Sequence, residues 1–340
     1  MLPTMKSIAR DLGVSVVTVS KVLHNHADIS PETRKRVLRR MKEVNYQPNL
    51  AARALSTGRT GLMGLVVPDL VHPFFAEVAK GISAKLSSQG YSLIIASSEE
   101  NPELERRETD QMLARRVDAL FLASTETHSA SLQKISESSV PLVLLDRKIP
   151  GVSANFVGVN DIAAGSLAAK HLIDIGCKTI AHISGSDVST AIDRRTGYQQ
   201  ALAKHNMTLP PIYTVKHGPV DNEGDSTGYS SMKKLLLLNP RPDGVFCYND
   251  TIALGAMQAI IEAGLDIPGD IALMGCGNFL FDNLLRVPLT SIDQDAGGLG
   301  EHASKLALDV IKRKRPSTPK TVLLDAKLII RGSTQRKGPS

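Results

Sequence analysis

The chain has 340 residues, 42% of them hydrophobic, enough for about two or three buried cores, and it lacks the unbroken apolar run of about 18 residues that a bilayer span needs. Cys177, Cys247 and Cys276 are odd in number and far apart, which excludes a disulfide framework and a cysteine metal site and leaves ordinary reduced thiols. The net charge of +6 is segregated: residues 1–60 hold 11 Lys and Arg against 4 Asp and Glu, and the remainder holds 29 against 30. A basic head on a near-neutral body points to a polyanion partner for the head alone. The opening MLPTMKSIARDLG has no apolar run of a secretory signal, so a cytoplasmic location is expected.

Met5, Ile8, Ala9 and Leu12 share one helical stripe, and Gly13 suits the left-handed turn that ends a helix. Ser15 then opens a second helix as its N-cap. Val19, Val22 and Leu23 make its inner face, whereas Val16, Val17, Ser20 and Lys21 point outward. Methyl groups beside one long cation fit a DNA major groove, with apolar contact to thymine methyls and a Lys donor to guanine acceptors; packing is the alternative for the valines. Helix, tight turn, helix is the arrangement whose second helix enters the groove. After a polar loop over Asn25–Ile29, Ser30 and Pro31 start a third helix. Val37, Met41 and Val44 form its buried stripe, and Arg34, Lys35, Arg36, Arg39, Arg40 and Lys42 crowd the rest. His24 and His26 lack the supporting ligands of a metal site.

Pro48 is expected to end that helix, and Asn49 to cap a new one of about two turns. So short a helix is unstable alone and forms only when packed on something else. In that setting Leu55 is a candidate minor-groove wedge and Arg53 a candidate phosphate contact; an ordinary linker is the alternative.

From Gly61 the pattern changes. Apolar runs recur at Leu62–Val67, Leu93–Ala96, Ala119–Ala123, Leu142–Leu145, Thr179–Ile183, Val245–Tyr248 and Ile271–Met274, with segments of helical length between most of them. This alternation predicts an α/β body of parallel sheets covered by helices on both faces, and the number of units predicts two similar subdomains. Ligands of such sheets bind beyond the carboxyl ends of the strands. The polar and aromatic residues there are His72-Pro73-Phe74-Phe75, Asp146-Arg147, Arg194, Asn249-Asp250 and Gln294. An aromatic platform, a carboxylate, two guanidinium groups and amides suit a small hydroxyl-rich molecule. Each has a plainer reading: Phe74 and Phe75 as core, Asp250 as N-cap of a helix over Thr251–Ala263, Asp146 and Arg147 as a surface pair.

Residues 4–60 resemble the headpiece of the lactose-repressor/galactose-repressor (LacI/GalR) family of bacterial transcription regulators. Ile8-Ala9 through Gly13-Val14-Ser15, Thr18-Val19-Ser20 and Val22-Leu23 carry its helix-turn-helix pattern, and Tyr46-x-Pro48-Asn49 with Ala52-Arg53-x-Leu55 its hinge helix. The resemblance implies a DNA-contacting set of Ser15, Val16, Val17, Thr18, Ser20, Lys21, Asn49, Arg53 and Leu55. Val16, Val17 and Lys21 would read bases, and Leu55 would intercalate at the centre of a palindromic operator, with hinge helices paired across a homodimer. The body resembles periplasmic sugar-binding proteins of type I, and His72, Phe74, Phe75, Asp146, Arg147, Arg194, Asn249 and Gln294 match positions that contact sugar there.

The domains implied are a headpiece over 1–47, a hinge over 48–60 and a body over 61–340. Within the body, a first subdomain covers about 61–162 and 292–322, and a second about 163–291 and 323–335. The chain should recross at Ser291–Asp295 and place a helix over 296–315, whose end carries Lys312-Arg313-Lys314-Arg315. Two departures stand out: Gly277 replaces the family's acidic residue, and the loop Gly218–Gly228 has Val220 where an aromatic is usual. With no P-loop, G-x-G-x-x-G, nucleophile elbow or metal cluster, neither catalysis nor a cofactor is expected. The reading is a transcription regulator, foremost a repressor, governed by a sugar-like effector. The alternatives are control by a protein co-regulator and, with the headpiece against it, a solute-binding protein.

Overall fold

The computed structural model describes residues 3–23, 25–47, 54, 58–125, 132–207, 210–216, 224–312 and 318–336. The chain divides into two units, Met1–Thr60 and Gly61–Ser340. The described residues of the first include α1 (Met5–Leu12), α2 (Val16–Leu23) and α3 (Pro31–Glu43), around a core of Ile8, Ala9, Val19, Val22, Val37 and Met41. Local chemistry sets each end. Thr4 and Ser7 form a capping box on α1, the Ser15 hydroxyl accepts from the Thr18 amide at 3.0 Å, and Ser30 caps α3. Gly13 (φ 65°) and Asn25 (φ 56°) turn the chain out of α1 and α2 in the left-handed region.

The expectation that Pro48 ends the third helix is corrected: α3 stops at Glu43. Asn45 takes φ 47°, its amide and that of Tyr46 closing on the carbonyls of Lys42 and Met41 at 3.2 and 2.9 Å. That paired closure satisfies the last carbonyls of the helix before any proline is needed. The expected hinge residues Asn49, Arg53 and Leu55 lie outside the described residues, as do His24, Val220 and residues 313–315.

The body contains two six-stranded sheets. The first has β1 (Leu62–Val67), β2 (Ser92–Ser97), β3 (Ala119–Leu122), β4 (Leu142–Leu145), β5 (Asn155–Val159) and β11 (Thr321–Leu324), in the order β11-β5-β4-β3-β1-β2. The second has β6 (Ile180–Ser184), β7 (Thr214–Lys216), β8 (Gly244–Cys247), β9 (Ala272–Gly277), β10 (Thr290–Asp293) and β12 (Lys327–Ile329), in the order β12-β10-β9-β8-β6-β7. The second repeats the order of the first. All pairs are parallel except β10 with β12. Buried clusters lie on both faces of each sheet, as continuous apolar strands require.

Helices α4 (Pro73–Ser87), α5 (Pro102–Ala114) and α6 (Gln133–Glu137) belong to the first sheet; α7 (Asp161–Asp174), α8 (Ser189–Lys204), α9 (Gly224–Leu236) and α10 (Asp250–Glu262) belong to the second, and α11 (Ala296–Lys312) returns to pack on α4. The crossings fall at Asn160, between Asp293 and Ala296, and between Leu324 and Lys327, a residue or two from the expected boundaries. Register is the reason: β10 stays paired with β9 through Asp293↔Gly277, and β11 with β5 through Leu324↔Val159.

Helices α7 and α8 touch backbone to backbone. A Cβ on Gly165 would sit 1.9 Å from the Arg194 carbonyl oxygen, and one on Gly197 1.9 Å from that of Ile162. This contact sets where Arg194 emerges from α8. Gly165→Ala and Gly197→Ala are each expected to lower unfolding free energy by about 3 kcal/mol. Gly297→Ala, with nothing within 4 Å of the added methyl, should instead raise it by about 0.5–1 kcal/mol. Urea unfolding of the three variants checks both signs.

Candidate functional site

The carboxyl ends of β1, β4, β6, β8 and β10 converge on one cavity. His72, Phe74, Phe75, Asp146, Arg147, Arg194, Asn249 and Gln294, the whole expected effector set, line it together with Asp69, Glu100 and Tyr248. The free space is about 30 Å³, room for a water molecule or two and far below the several hundred Å³ of a typical small-molecule site. The cleft is closed.

Two buried ion pairs frame it. Arg147 grips Glu100 through both terminal nitrogens at 2.9 and 2.6 Å, and burial leaves neither partner more than 14% exposed. Arg194 donates from Nε to Asp161 at 2.7 Å and from Nη1 to the Tyr248 carbonyl at 2.8 Å, with its guanidinium 4.7 Å from the Tyr248 ring centre. Burial pushes the Asp161 carboxyl up, against the pull of Arg194. The surface pairing of Asp146 with Arg147 is therefore corrected. Asp146 is buried at φ 59°, and Glu100 takes the guanidinium because a bidentate fork satisfies more of its donors.

Asn249 does more than line the cavity. Its Oδ1 accepts from the Ile252 amide (2.9 Å) and the Thr251 hydroxyl (2.8 Å), so Asn249, and not Asp250, caps α10. The cap leaves Nδ2 to donate to His72 Nε2 at 3.1 Å. His72 Nε2 must then be an acceptor, and the ring proton sits on Nδ1. Burial first, then Arg147 and Arg194, pushes His72 down to about 4, so the neutral ring holds at pH 7. Three buried polar atoms on this cavity have no partner among the described residues: His72 Nδ1, Asp146 Oδ1 and Arg147 Nε. Groups of that kind are costly to leave unsatisfied.

Phe74 and Phe75 are both buried, packed edge to face at 5.2 Å, and they belong to the core cluster as well as to the cavity wall. In the head, Val16 and Val17 are 41% and 64% exposed while Val19 and Val22 are buried. Ser15 and Thr18 share the cap at 2.9 Å, Ser20 is partly exposed, and Lys21 pairs with Asp28. Several third-helix cations brace the fold instead of facing outward. Arg40 grips Asp11 at 2.7 Å, Arg36 donates to the Leu12 carbonyl at 3.1 Å, and Arg34 holds Asn25 and the His26 carbonyl.

A family model described as bacterial regulatory proteins, lacI family, matches residues 4–49, and one described as periplasmic binding proteins and sugar binding domain of LacI family matches residues 60–331. The chain belongs to the lacI family. It is a DNA-binding transcription regulator. The HTH-type transcriptional repressor PurR of Histophilus somni (strain 129Pt) is 34% identical over 315 residues, 92% of this chain and 93% of that protein. Among solved structures, the transcriptional regulator CelR in complex with cellobiose is 28% identical with a TM-score of 0.73, covering 97% of this chain and 99% of that one. The lac repressor dimer bound to operator and the anti-inducer ONPF shares the fold, with a TM-score of 0.86 at 24% identity over 98% of this chain and 99% of that one.

In this lacI-family chain, Gly277 is explained by what surrounds it. At φ 149°, an added Cβ would lie 2.6 Å from the Phe279 ring and 2.7 Å from Asp250 Oδ2. Phe279 fills that space and packs edge-on against His72 at 5.5 Å. Asp250 is buried and accepts from the Ser291 hydroxyl at 2.7 Å. Burial first, then the nearby Asp250, pushes Asp282 up to about 9, so its carboxyl keeps its proton at neutral pH. Asp69, Glu100, Tyr248 and Asp161 were not in the expected set. Asp161 follows β5, a strand that the sequence pattern did not reveal, and Glu100 ends the two-residue left-handed turn Glu99–Glu100 (φ 50° and 52°).

The folded state binds a proton at Asp282 that the unfolded chain has released above about pH 4. Stability should therefore fall as pH rises from about 4 to about 9. Asp282→Asn, which can still donate to Asp250, should flatten this slope and be the more stable protein at pH 8. Urea unfolding at pH 5, 7 and 8 tests it; a slope shared by both proteins rules it out.

Proposed function

We propose that this chain is a transcriptional repressor whose grip on a palindromic operator is set by a small, neutral, hydroxyl-rich effector held in the cleft of the body. The observation that carries the reading is the convergence of the unpartnered His72 Nδ1, Asp146 Oδ1 and Arg147 Nε on one cavity. Two donors and one acceptor suit hydroxyls, which both give and accept. The carboxylates of Asp69, Glu100 and Asp146 outnumber the guanidinium groups of Arg147 and Arg194 around it, so an anionic ligand is disfavoured. The name of the CelR complex records cellobiose in a related protein, in keeping with a sugar.

In this reading Val16, Val17 and Lys21 read base edges while Ser15, Thr18 and Ser20 support the docking. Asn49, Arg53 and Leu55 form a hinge that folds only when two copies bring their connectors together over the minor groove. Exposed apolar side chains on the body, Leu70, Val71, Ile95, Leu280 and Leu284, favour a homodimer. Operator DNA places the protein in the cytoplasm, and the effector is bound and released unchanged. The cleft state sets the spacing of the hinges, so an effector preferring one state by about a few kcal/mol is sufficient.

Asp146→Asn removes an acceptor with little change of shape. It should abolish the thermal stabilisation that neutral sugars give the protein while leaving operator affinity within about twofold. Arg194→Ala should lose the response as well, with an added stability cost of about 3–5 kcal/mol because Asp161 is left buried and unpaired. Scanning fluorimetry against neutral sugars and sugar phosphates, beside operator titrations, decides it; stabilisation that persists in Asp146→Asn places the effector elsewhere. Leu55→Ala should weaken operator binding about tenfold or more and non-operator binding little, and equal losses would remove the wedge.

A further inference from the structure

Lys21 lies one turn beyond Val17 on the outward face of α2, and an ammonium there should be free to meet any phosphate. It is not free. Lys21 is paired with Asp28, with side chains 39% and 55% exposed, and Lys21 draws the Asp28 carboxyl below its ordinary range. Asp28 belongs to the loop that leads into α3, not to α2 itself, yet this loop is tied firmly to the helix. The amides of Asn25 and His26 close on the carbonyls of Val22 and Lys21 at 3.1 and 3.0 Å, and Arg34 holds both the Asn25 side chain and the His26 carbonyl. Ser30, two residues on, is fixed as the cap of α3. The carboxylate is thus carried to Lys21 by a braced loop and is not a passing surface partner.

We propose that Asp28 is a specificity-determining residue of the DNA-reading face, acting by neutralising Lys21 toward phosphates. A Lys–Asp pair has no net charge, so it releases no counterion on a random duplex, where backbone attraction supplies nearly all of the binding. Docking also brings the carboxylate toward phosphates, which repel it. The pair is exposed and therefore weak, so it opens where Lys21 finds a better acceptor set, such as the O6 and N7 edge of guanine. The effect of Asp28 is to lower binding at wrong sites more than at right ones, which raises discrimination without adding a contact.

This rests on Lys21 facing bases, and the test separates the two. The full chain is assayed on a twofold-symmetric duplex recovered by selection from random DNA and on a shuffled duplex, across about 50 to 200 mM salt. Asp28→Asn should bind the shuffled duplex about two- to fivefold more tightly, with a salt slope steeper by about 0.9 per head, and should lose discrimination by the same factor. Asp28→Glu, which keeps the charge, should behave as the wild type. In a Lys21→Ala background, Asp28→Asn frees no ammonium and removes only the carboxylate's own repulsion, so the gain and the change in salt slope should be clearly smaller. A gain undiminished by Lys21→Ala, or a discrimination ratio unchanged by Asp28→Asn, overturns the pairing role. An unaltered selected sequence for Lys21→Ala overturns the base-reading role beneath it.

Discussion

The bond from Asn249 Nδ2 to His72 Nε2 joins a helix cap on the second sheet to the first turn of a helix on the first. Its direction is dictated by the fold. Because Oδ1 is committed to the α10 amide and to Thr251, the amide group has one orientation, and His72 has one tautomer. A structural cap therefore decides that the cavity presents an N–H at His72. Whatever enters must bring an acceptor to that point, and the choice is made by helix-end chemistry in the cavity wall.

The rest of the cavity is built at a cost in stability. Burying Arg147 with Glu100, and Arg194 with Asp161, contributes little net stability compared with apolar packing, because desolvation offsets the attraction. What such pairs supply is position. Each guanidinium is held by a carboxylate outside the centre of the cavity, so its remaining N–H groups face a fixed direction. The same holds for Gly165 and Gly197, whose missing side chains let α8 lie close enough to α7 for Arg194 to reach Asp161. Gly277 belongs to this account as well, since Phe279 and Asp250 leave it no room for a side chain.

Much of this was legible in the residues. Strands covered on both faces announce themselves as apolar runs, and β1, β4, β6 and β8 did so, which brought seven of the eight expected cavity residues into one list by position; Gln294 came from the short Ser291-Ile292 stretch of β10. The head was equally plain, because caps such as Ser15 and Ser30 act within one turn and need no tertiary partner. What stayed hidden depended on distance or on short elements. β7 has three residues and β5 carries Asn155 and Gly158 within five, so neither has the unbroken run that marks the others. Missing β5 removed Asp161 from view, and with it the partner of Arg194. Asp250 was assigned the cap of α10 because both Asn and Asp suit such a position; only the geometry at Ser291 and the Phe279 amide shows that Asp250 is bound elsewhere.

The closed cleft bears on how much control an effector needs. Among the described residues, three polar contacts cross from one sheet's side to the other's: His72 with Asn249, the Lys148 amide with the Ser189 hydroxyl at 2.8 Å, and the Lys148 ammonium with Asp193 at 3.9 Å. Each contributes about 1 kcal/mol net or less, and the apolar contact of Phe279 with His72 adds to them. Against this stand the three unsatisfied polar atoms of the closed state, each costing about 1–3 kcal/mol. One small ligand that satisfies those atoms therefore supplies free energy on the order of that held in the contacts closing the cleft. A cleft with such atoms left open can be shifted by a molecule much smaller than the body, whereas a fully satisfied one would hold a single state.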